Sequence, residues 1–388
     1  MIPTPIYLDN NATTKVAPEV LDAMMPYFQT EYGNPSSTSH AFGWRADEAV
    51  EFARQQVATL LNCTPHEVTW TSGATESNNL AIKGSLIAQD EPGAHIITVR
   101  TEHSSVIDIV KHLVREGAMA TFLPVDRDGL VSLSDLEAAI TPETRIVSIM
   151  AVNNEIGTIQ PIAEIGSLCK SHGIVFHTDA TQAIGAVPVD VDTMSVDLLS
   201  CSAHKFHGPK GVGALYVRSR DPRTRIVAQM DGGGQEHGFR SGTLNVPGIV
   251  GMGTAAGIAH VERSRLYKNL ALLRDSLWHR IEAEIPNVEL NGHSDLRSPA
   301  NLNVWFTGAD ADAIMLAMPQ VAIASGSACT SNAIRPSHVI ASLNKFGDST
   351  KTSLRFGVSR FNTMDEIDAC SKLVRGAVQR VRAQMRRV

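Results

Sequence analysis

The sequence predicts an α/β protein of two domains built on a large, mostly parallel sheet. Three observations predict it. The chain has 388 residues, more than one ordinary hydrophobic core accommodates. From about residue 60, short β-branched runs alternate with helical periods, the pattern of strand–helix–strand units. A compositional break follows Gly232-Gly233-Gly234, and beyond a helical connector the remainder has shorter strands and helices.

The strand-like runs in the first part are 67–71, 95–100, 120–124, 145–151, 174–178, 197–200 and 213–217. Helical periods separate most of them, as at 104–115, 134–140 and 162–172. A helical stretch from 258 to about 283 reads as a connector. Beyond it come strands at 301–306 and 353–358 and helices at 310–318 and 364–385. The expected division is a large domain, 14–257, and a smaller one made of 1–13 with 258–388. In sheets of this class ligands bind at the carboxyl ends of the strands. Ser72-Gly73-Ala74-Thr75, Glu102-His103, Asn153-Asn154-Glu155, Asp179 and Lys205 all fall at such ends.

The formal net charge of -6 gives no global basic field, so neither nucleic acid nor a membrane surface is an expected partner. The basic stretch 375–388 reads as a solvated helix face whose cations suit the helix dipole. Cys63, Cys169, Cys201, Cys329 and Cys370 are few, odd in number and scattered, which argues against a disulfide framework and a zinc site. The first residues lack a basic and apolar leader pattern, and no run is long enough to span a bilayer. A reducing cytoplasm is expected.

Three motifs carry chemistry. Ser72-Gly73-Ala74-Thr75-Glu76 follows a strand and opens a helix, where backbone N–H groups bind phosphate; a capping box would use the same residues. Asp179, in His177-Thr178-Asp179-Ala180-Thr181-Gln182, ends a buried strand. A carboxylate there needs a positive partner. A protonated pyridine nitrogen, as in pyridoxal 5'-phosphate (PLP), would serve and would make the ring an electron sink; a helix N-cap is the plainer alternative. In Ser202-Ala203-His204-Lys205-Phe206-His207-Gly208-Pro209-Lys210-Gly211, a desolvated lysine would be a nucleophilic amine. Lys205 is the first candidate, and Lys210 stays a rival.

With Arg240-Ser241-Gly242-Thr243, the opening Tyr7-Leu8-Asp9-Asn10-Asn11-Ala12-Thr13-Thr14 and Gly33-Asn34-Pro35-Ser36-Ser37, these motifs occur in the order seen in cysteine desulfurases. The chain resembles the NifS/IscS type of that family, in the class V aminotransferase branch of fold-type I PLP enzymes. The resemblance implies an α/β PLP-transferase fold with PLP as a Schiff base on Lys205, which also moves the Cα proton of L-cysteine. It implies that Asp179 pairs with the pyridine nitrogen, Gln182 meets the phenolic oxygen, and His103 stacks on the ring and acts in acid/base steps. Ala74, Thr75, Ser202 and His204 would hold the phosphate. Thr243 would reach the phosphate of a partner subunit, making a homodimer. Asn154, beside the cofactor, and Arg355 would position the substrate, a planar guanidinium suiting its carboxylate.

The same resemblance singles out Cys329, in Ala324-Ser325-Gly326-Ser327-Ala328-Cys329-Thr330-Ser331. Small polar residues there predict an exposed mobile loop, about 324–336. The implied reaction places a persulfide on Cys329, releases L-alanine and passes sulfur to an acceptor, for iron–sulfur cluster assembly or another sulfur modification. No metal site is expected, with Cys329 left open as a transient iron–sulfur ligand. Many relatives read Leu-Glu-Pro-Ser where this chain has Ile334-Arg335-Pro336-Ser337, so Arg335 replaces a carboxylate beside the loop. A longer C-terminal extension that grips a scaffold is expected to be missing. Two alternatives stand beside this reading: another PLP reaction on the same fold, such as selenocysteine lyase or aminotransferase, and a non-catalytic scaffold.

Overall fold

The computed structural model describes residues 5–325, 337–343 and 351–385. The chain opens with β1 (Ile6–Tyr7), α1 (Pro18–Met24), α2 (Pro26–Gln29) and the long α3 (Ala41–Leu61). Then strands and helices alternate: β2 (Val68–Thr71), α4 (Ala74–Gln89), β3 (His95–Val99), α5 (Ser104–Arg115), β4 (Met119–Leu123), α6 (Leu133–Ala139), β5 (Thr144–Ser148), α7 (Ile162–Ser171), β6 (Val175–Asp179), β7 (Leu198–Ser202) and β8 (Gly213–Val217). After α8 (Val246–Glu284) come β9 (Val288–Leu290), β10 (Asn301–Phe306), α9 (Ala311–Leu316), β11 (Val321–Ala322), α10 (His338–Ser342), β12 (Ser353–Gly357) and α11 (Met364–Met385).

The seven strands β2 to β8 form one sheet in the order β2-β8-β7-β6-β5-β3-β4. Its ladders are parallel except where β8 runs antiparallel to β2 and β7. Most of these strands are buried throughout, as expected of a sheet covered on both faces. α4 and α5 cover one face with Ile82, Leu86, Val106, Ile109 and Leu113, and the main core, through Trp70, Val147, Phe176 and Leu199, covers the other.

The connector differs from the sequence reading. The helix starts at Val246, not 258, and runs unbroken for 39 residues. Asn245 caps it by accepting from Gly248 N at 3.1 Å. The glycines of its first turns are a packing surface: a Cβ on Gly253 would lie 2.5 Å from Ala53 Cα of α3. The first half of α8, through Ile249, Met252 and Ala256, joins the main core. Leu270, Leu277 and Ile281 join a second core with Ile6, Leu8, Phe306, Leu354 and Val378. Residues 6–7 pair in parallel with 321–322, placing the N-terminal segment on this second unit.

The basic last helix is docked, not merely solvated. Arg382 donates to the carbonyls of Pro286, Asn287 and Thr307, Arg380 to that of Ala317, and Arg375 pairs with Glu284.

Candidate active site

The carboxyl ends of β2, β3, β5, β6 and β7 open onto one cavity of about 460 Å³. Ala74, Thr75, His103, Asn154, Asp179, Gln182, Ser202, His204, Lys205 and Arg355 all line it, with Lys210 at its rim. Thr243 does not line its own chain's cavity and is exposed. Cys329 lies outside the described residues, as do Arg335 and most of the segment 324–336.

One end of the cavity suits a phosphate. α4 starts at Gly73 without a side-chain cap, so the first-turn N–H groups face the opening. Gly73 has φ +150, a conformation that favours glycine, and a Cβ there would point at Ser202 Oγ, 3.6 Å away. The capping-box alternative takes another form: Glu76 accepts from Ser72 N at 2.8 Å and from Arg240 Nε at 2.8 Å. Burial alone would raise the Glu76 carboxyl, but these bonds hold it below its ordinary value, so it stays ionised beside Arg240. Burial, then the charges of Lys205 and Lys210, push His204 down to about 4, leaving a neutral imidazole that bonds Thr13 Oγ1 at 3.1 Å.

The middle of the cavity suits a cationic ring nitrogen. Asp179 is buried, and its described hydrogen bonds come from neutral donors: Asn78 Nδ2 at 2.9 Å and Thr181 N at 2.9 Å. Such a carboxylate is costly without a positive partner. Beneath it, burial pushes His177 down to about 4, between Ser148 and Ser200 hydroxyls. Glu102 is fully buried and driven well above the ordinary carboxyl value by that burial and by the Asp179 charge. Lys205 is half-buried, its Nζ donating to Asn11 O at 2.5 Å and Ala12 O at 2.8 Å, whereas Lys210 is exposed. The residues present fit PLP: an anion cradle, a buried carboxylate whose described hydrogen bonds come from neutral donors, and an amine lining the same cavity.

Three residues, Asn78, Ser105 and Asn11, were not singled out from sequence. Asn78 sits on the buried face of α4, and its Nδ2 also meets Ser105 Oγ at 3.0 Å. Ser105 in turn orients His103, whose Nδ1 is 2.8 Å from the Ser105 hydroxyl. Asn11 orients Gln182, accepting from its Nε2 at 2.9 Å and donating to its Oε1 at 3.2 Å. A buried asparagine in an amphipathic helix is a usable signal for Asn78; for Asn11 the signal was its place in the opening motif. Both terminal nitrogens of Arg355 are engaged, Nη2 donating to Asp9 Oδ1 and Nη1 to Asn154 O, each at 2.9 Å.

The chain matches the family model described as aminotransferase class-V over residues 6–370. The chain belongs to the class-V aminotransferase family. A class-V enzyme of this kind uses PLP, and the cofactor is therefore PLP. This class-V chain is 51% identical over 378 residues to cysteine desulfurase IscS of Anaeromyxobacter dehalogenans, covering 97% of this chain and 93% of that one. It is similar to the solved structure of a NifS-like protein, with TM-score 0.90, 34% identity and coverage of 97% and 99%. It is also similar to SspA, solved in complex with cysteine, with TM-score 0.80, 35% identity and coverage of 92% and 100%.

The other four cysteines of this class-V chain are held as thiols. Burial pushes Cys169, Cys201 and Cys370 up to about 12, and burial with the Glu67 charge raises Cys63 further. Thiolate is the reactive form. At pH 7, brief alkylation of the native protein is expected to label Cys329 alone, with the other four reacting after denaturation. Peptide mass spectrometry reads this out, and rapid labelling of Cys201 or Cys370 would contradict it.

Proposed function

We propose that this protein is a PLP-dependent cysteine desulfurase that takes sulfur from L-cysteine, releases L-alanine and holds the sulfur as a persulfide on Cys329. What carries the reading is one juxtaposition. A cavity fitted for PLP also presents Arg355, and the backbone of Arg355 pairs with Ala324, at the root of the segment bearing Cys329. A carboxylate-reading group and the sulfur-accepting segment thus share one root. The relatives named above support the same substrate.

When bound, PLP supplies an electron sink for charge developing at Cα. The placement of the residues supports these roles. Lys205 would attach the cofactor and move the Cα proton. Asp179 would favour a protonated pyridine nitrogen, and Gln182, fixed by Asn11, would address the phenolic oxygen. His103, oriented by Ser105, would lie against the ring and serve proton transfer. Ala74, Thr75, Ser202 and His204 would hold the phosphate. Arg355 and Asn154 would bind the substrate carboxylate. The Cys329 thiolate then attacks the substrate sulfur. An S–S bond forms, the C–S bond breaks with its electron pair left on carbon, and that carbon takes a proton. Cysteine and an enzyme thiol give alanine and an enzyme persulfide, so no outside oxidant is needed.

We assign 14–257 to the cofactor domain and 1–13 with 258–388 to the smaller one; the division of the apolar core within α8 supports this. We assign a homodimer in which Thr243 completes the partner's phosphate site. Its exposure supports this, as do the exposed Phe28, Tyr32, Trp44 and Phe52 nearby in sequence to α3. Free thiols among the described cysteines fit a cytoplasmic setting with a protein sulfur acceptor.

The test is product analysis. With L-cysteine and a reductant, the holoenzyme is expected to release sulfide and alanine in equal amounts. Cys329→Ala should retain the yellow colour of bound cofactor while sulfur release falls about a thousandfold or more. Absence of both products from the wild type, or full activity in the variant, would sink the reading.

A further inference from the structure

Described hydrogen-bonded contacts flank the segment 325–336 on both sides, His338 Nε2 lying 2.9 Å from Glu102 O on the C-terminal side. On its N-terminal side, Ala324 and Arg355 exchange backbone bonds, Arg355 N donating at 2.7 Å and Ala324 N at 3.3 Å. On its C-terminal side, Ser337 Oγ donates to Glu155 Oε2 at 2.5 Å. The two anchor points are themselves joined, because Arg355 Nη1 donates to the carbonyl of Asn154, the residue before Glu155. Glu155 is buried, and its turn is fixed independently: Asn153 Oδ1 accepts from Glu155 N at 2.9 Å, and Glu155 O accepts from Asn301 and Asn303 amides. A buried carboxylate is costly to place, yet the fold of this turn does not need it, because the turn's backbone bonds are made by other groups. Its described side-chain hydrogen bond runs to Ser337. Ser337 also caps α10 by accepting from Ile340 N at 3.1 Å.

We propose that Glu155 is a positioning residue for sulfur transfer: through Ser337 it fixes the chain that follows the Cys329 segment to the turn that carries Asn154. This rests on the desulfurase reading above. Glu155 touches neither cofactor nor reacting atoms, so its removal should affect the step that needs Cys329 and spare the step that needs Lys205 alone.

The holoenzyme permits that separation. L-alanine carries no sulfur, and exchange of its α-proton in D2O reports Lys205 and PLP without Cys329. Persulfide formation from L-cysteine, followed on Cys329 by mass spectrometry, reports both. Glu155→Ala leaves the Ser337 cap intact. It is expected to slow persulfide formation about tenfold or more, as small misplacements do, with alanine exchange held within about twofold. Glu155→Gln keeps an acceptor oxygen and should recover to within about threefold of wild type. Combining Glu155→Ala with Ser337→Ala should cost no more than the worse single change. A persulfide rate in Glu155→Ala equal to wild type overturns the inference, as does an equal fall in both readouts. Wild-type enzyme that exchanges alanine's proton but forms no persulfide overturns the desulfurase reading instead.

Discussion

Replacing Lys205 with alanine is expected to remove the yellow colour of the protein and to lower alanine formation from L-cysteine by about 10⁴-fold or more. Lys205 and Lys210 lie five positions apart in one motif, and both line the cavity. Their surroundings separate them. Lys205 follows β7 in a tight 3-10 turn, Ala203–Lys205, and its amine is tied to the carbonyls of Asn11 and Ala12. Those carbonyls belong to the segment that also fixes Gln182, so the amine sits among groups already oriented for the ring. Lys210 is exposed, where a cation keeps its water and its conformational freedom. Lys210→Ala should therefore retain colour and remain within about tenfold of wild-type rate, the scale of a lost rim charge. Absorbance of the purified variants and alanine release measure both. Colour retained in Lys205→Ala and lost in Lys210→Ala would reverse the assignment.

Much of this site was legible because its parts sit where strands end. The change from an apolar run to a polar cluster marks each carboxyl end, and parallel strands bring those ends together, so Thr75, Asp179 and Lys205 meet although they are far apart in sequence. What was not legible depends on partners rather than pattern. The first turns of α8, from Val246, were missed because the helical reading began only at 258; there the missing Cβ of Gly253 lets α3 approach closely. Asn78 joins Asp179 to Ser105 through one amide nitrogen, a role no local pattern announces. The basic residues of α11 looked solvated, and carbonyls from distant loops absorb them. The pairing of Arg54 with Glu236 spans 182 positions and is likewise invisible before folding.

That pair carries the second large effect. Glu236→Ala is expected to destabilise the protein by about 3–5 kcal/mol, the cost of leaving one partner of a buried ion pair alone. Arg54 and Glu236 are both almost wholly buried, and they meet in a two-pronged contact of 2.9 Å on each side. Glu236 also accepts from Trp70 N at 2.7 Å, and Arg54 donates to Val68 O at 2.7 Å, so the pair completes the backbone of β2. The carboxylate further holds a strained turn: Glu236 has φ +50 and His237 φ +57. Left-handed residues of this kind cost on the order of 1–3 kcal/mol each and persist when their surroundings hold them. The turn leads to Arg240, which clamps Glu76 at the phosphate end of the cavity, and then to Thr243. Loss of the pair should therefore weaken the cofactor site as well as the fold. Glu236→Gln, which keeps an acceptor for Trp70 N, should lose less. A second change, Arg54→Met, removes the stranded guanidinium and should return part of the stability lost in Glu236→Ala. Denaturant unfolding of the holoenzyme, followed by cofactor absorbance and by protein fluorescence, reads both consequences. A Glu236→Ala protein within about 1 kcal/mol of wild type would mean that water reaches Arg54 and that the turn holds its shape without the carboxylate.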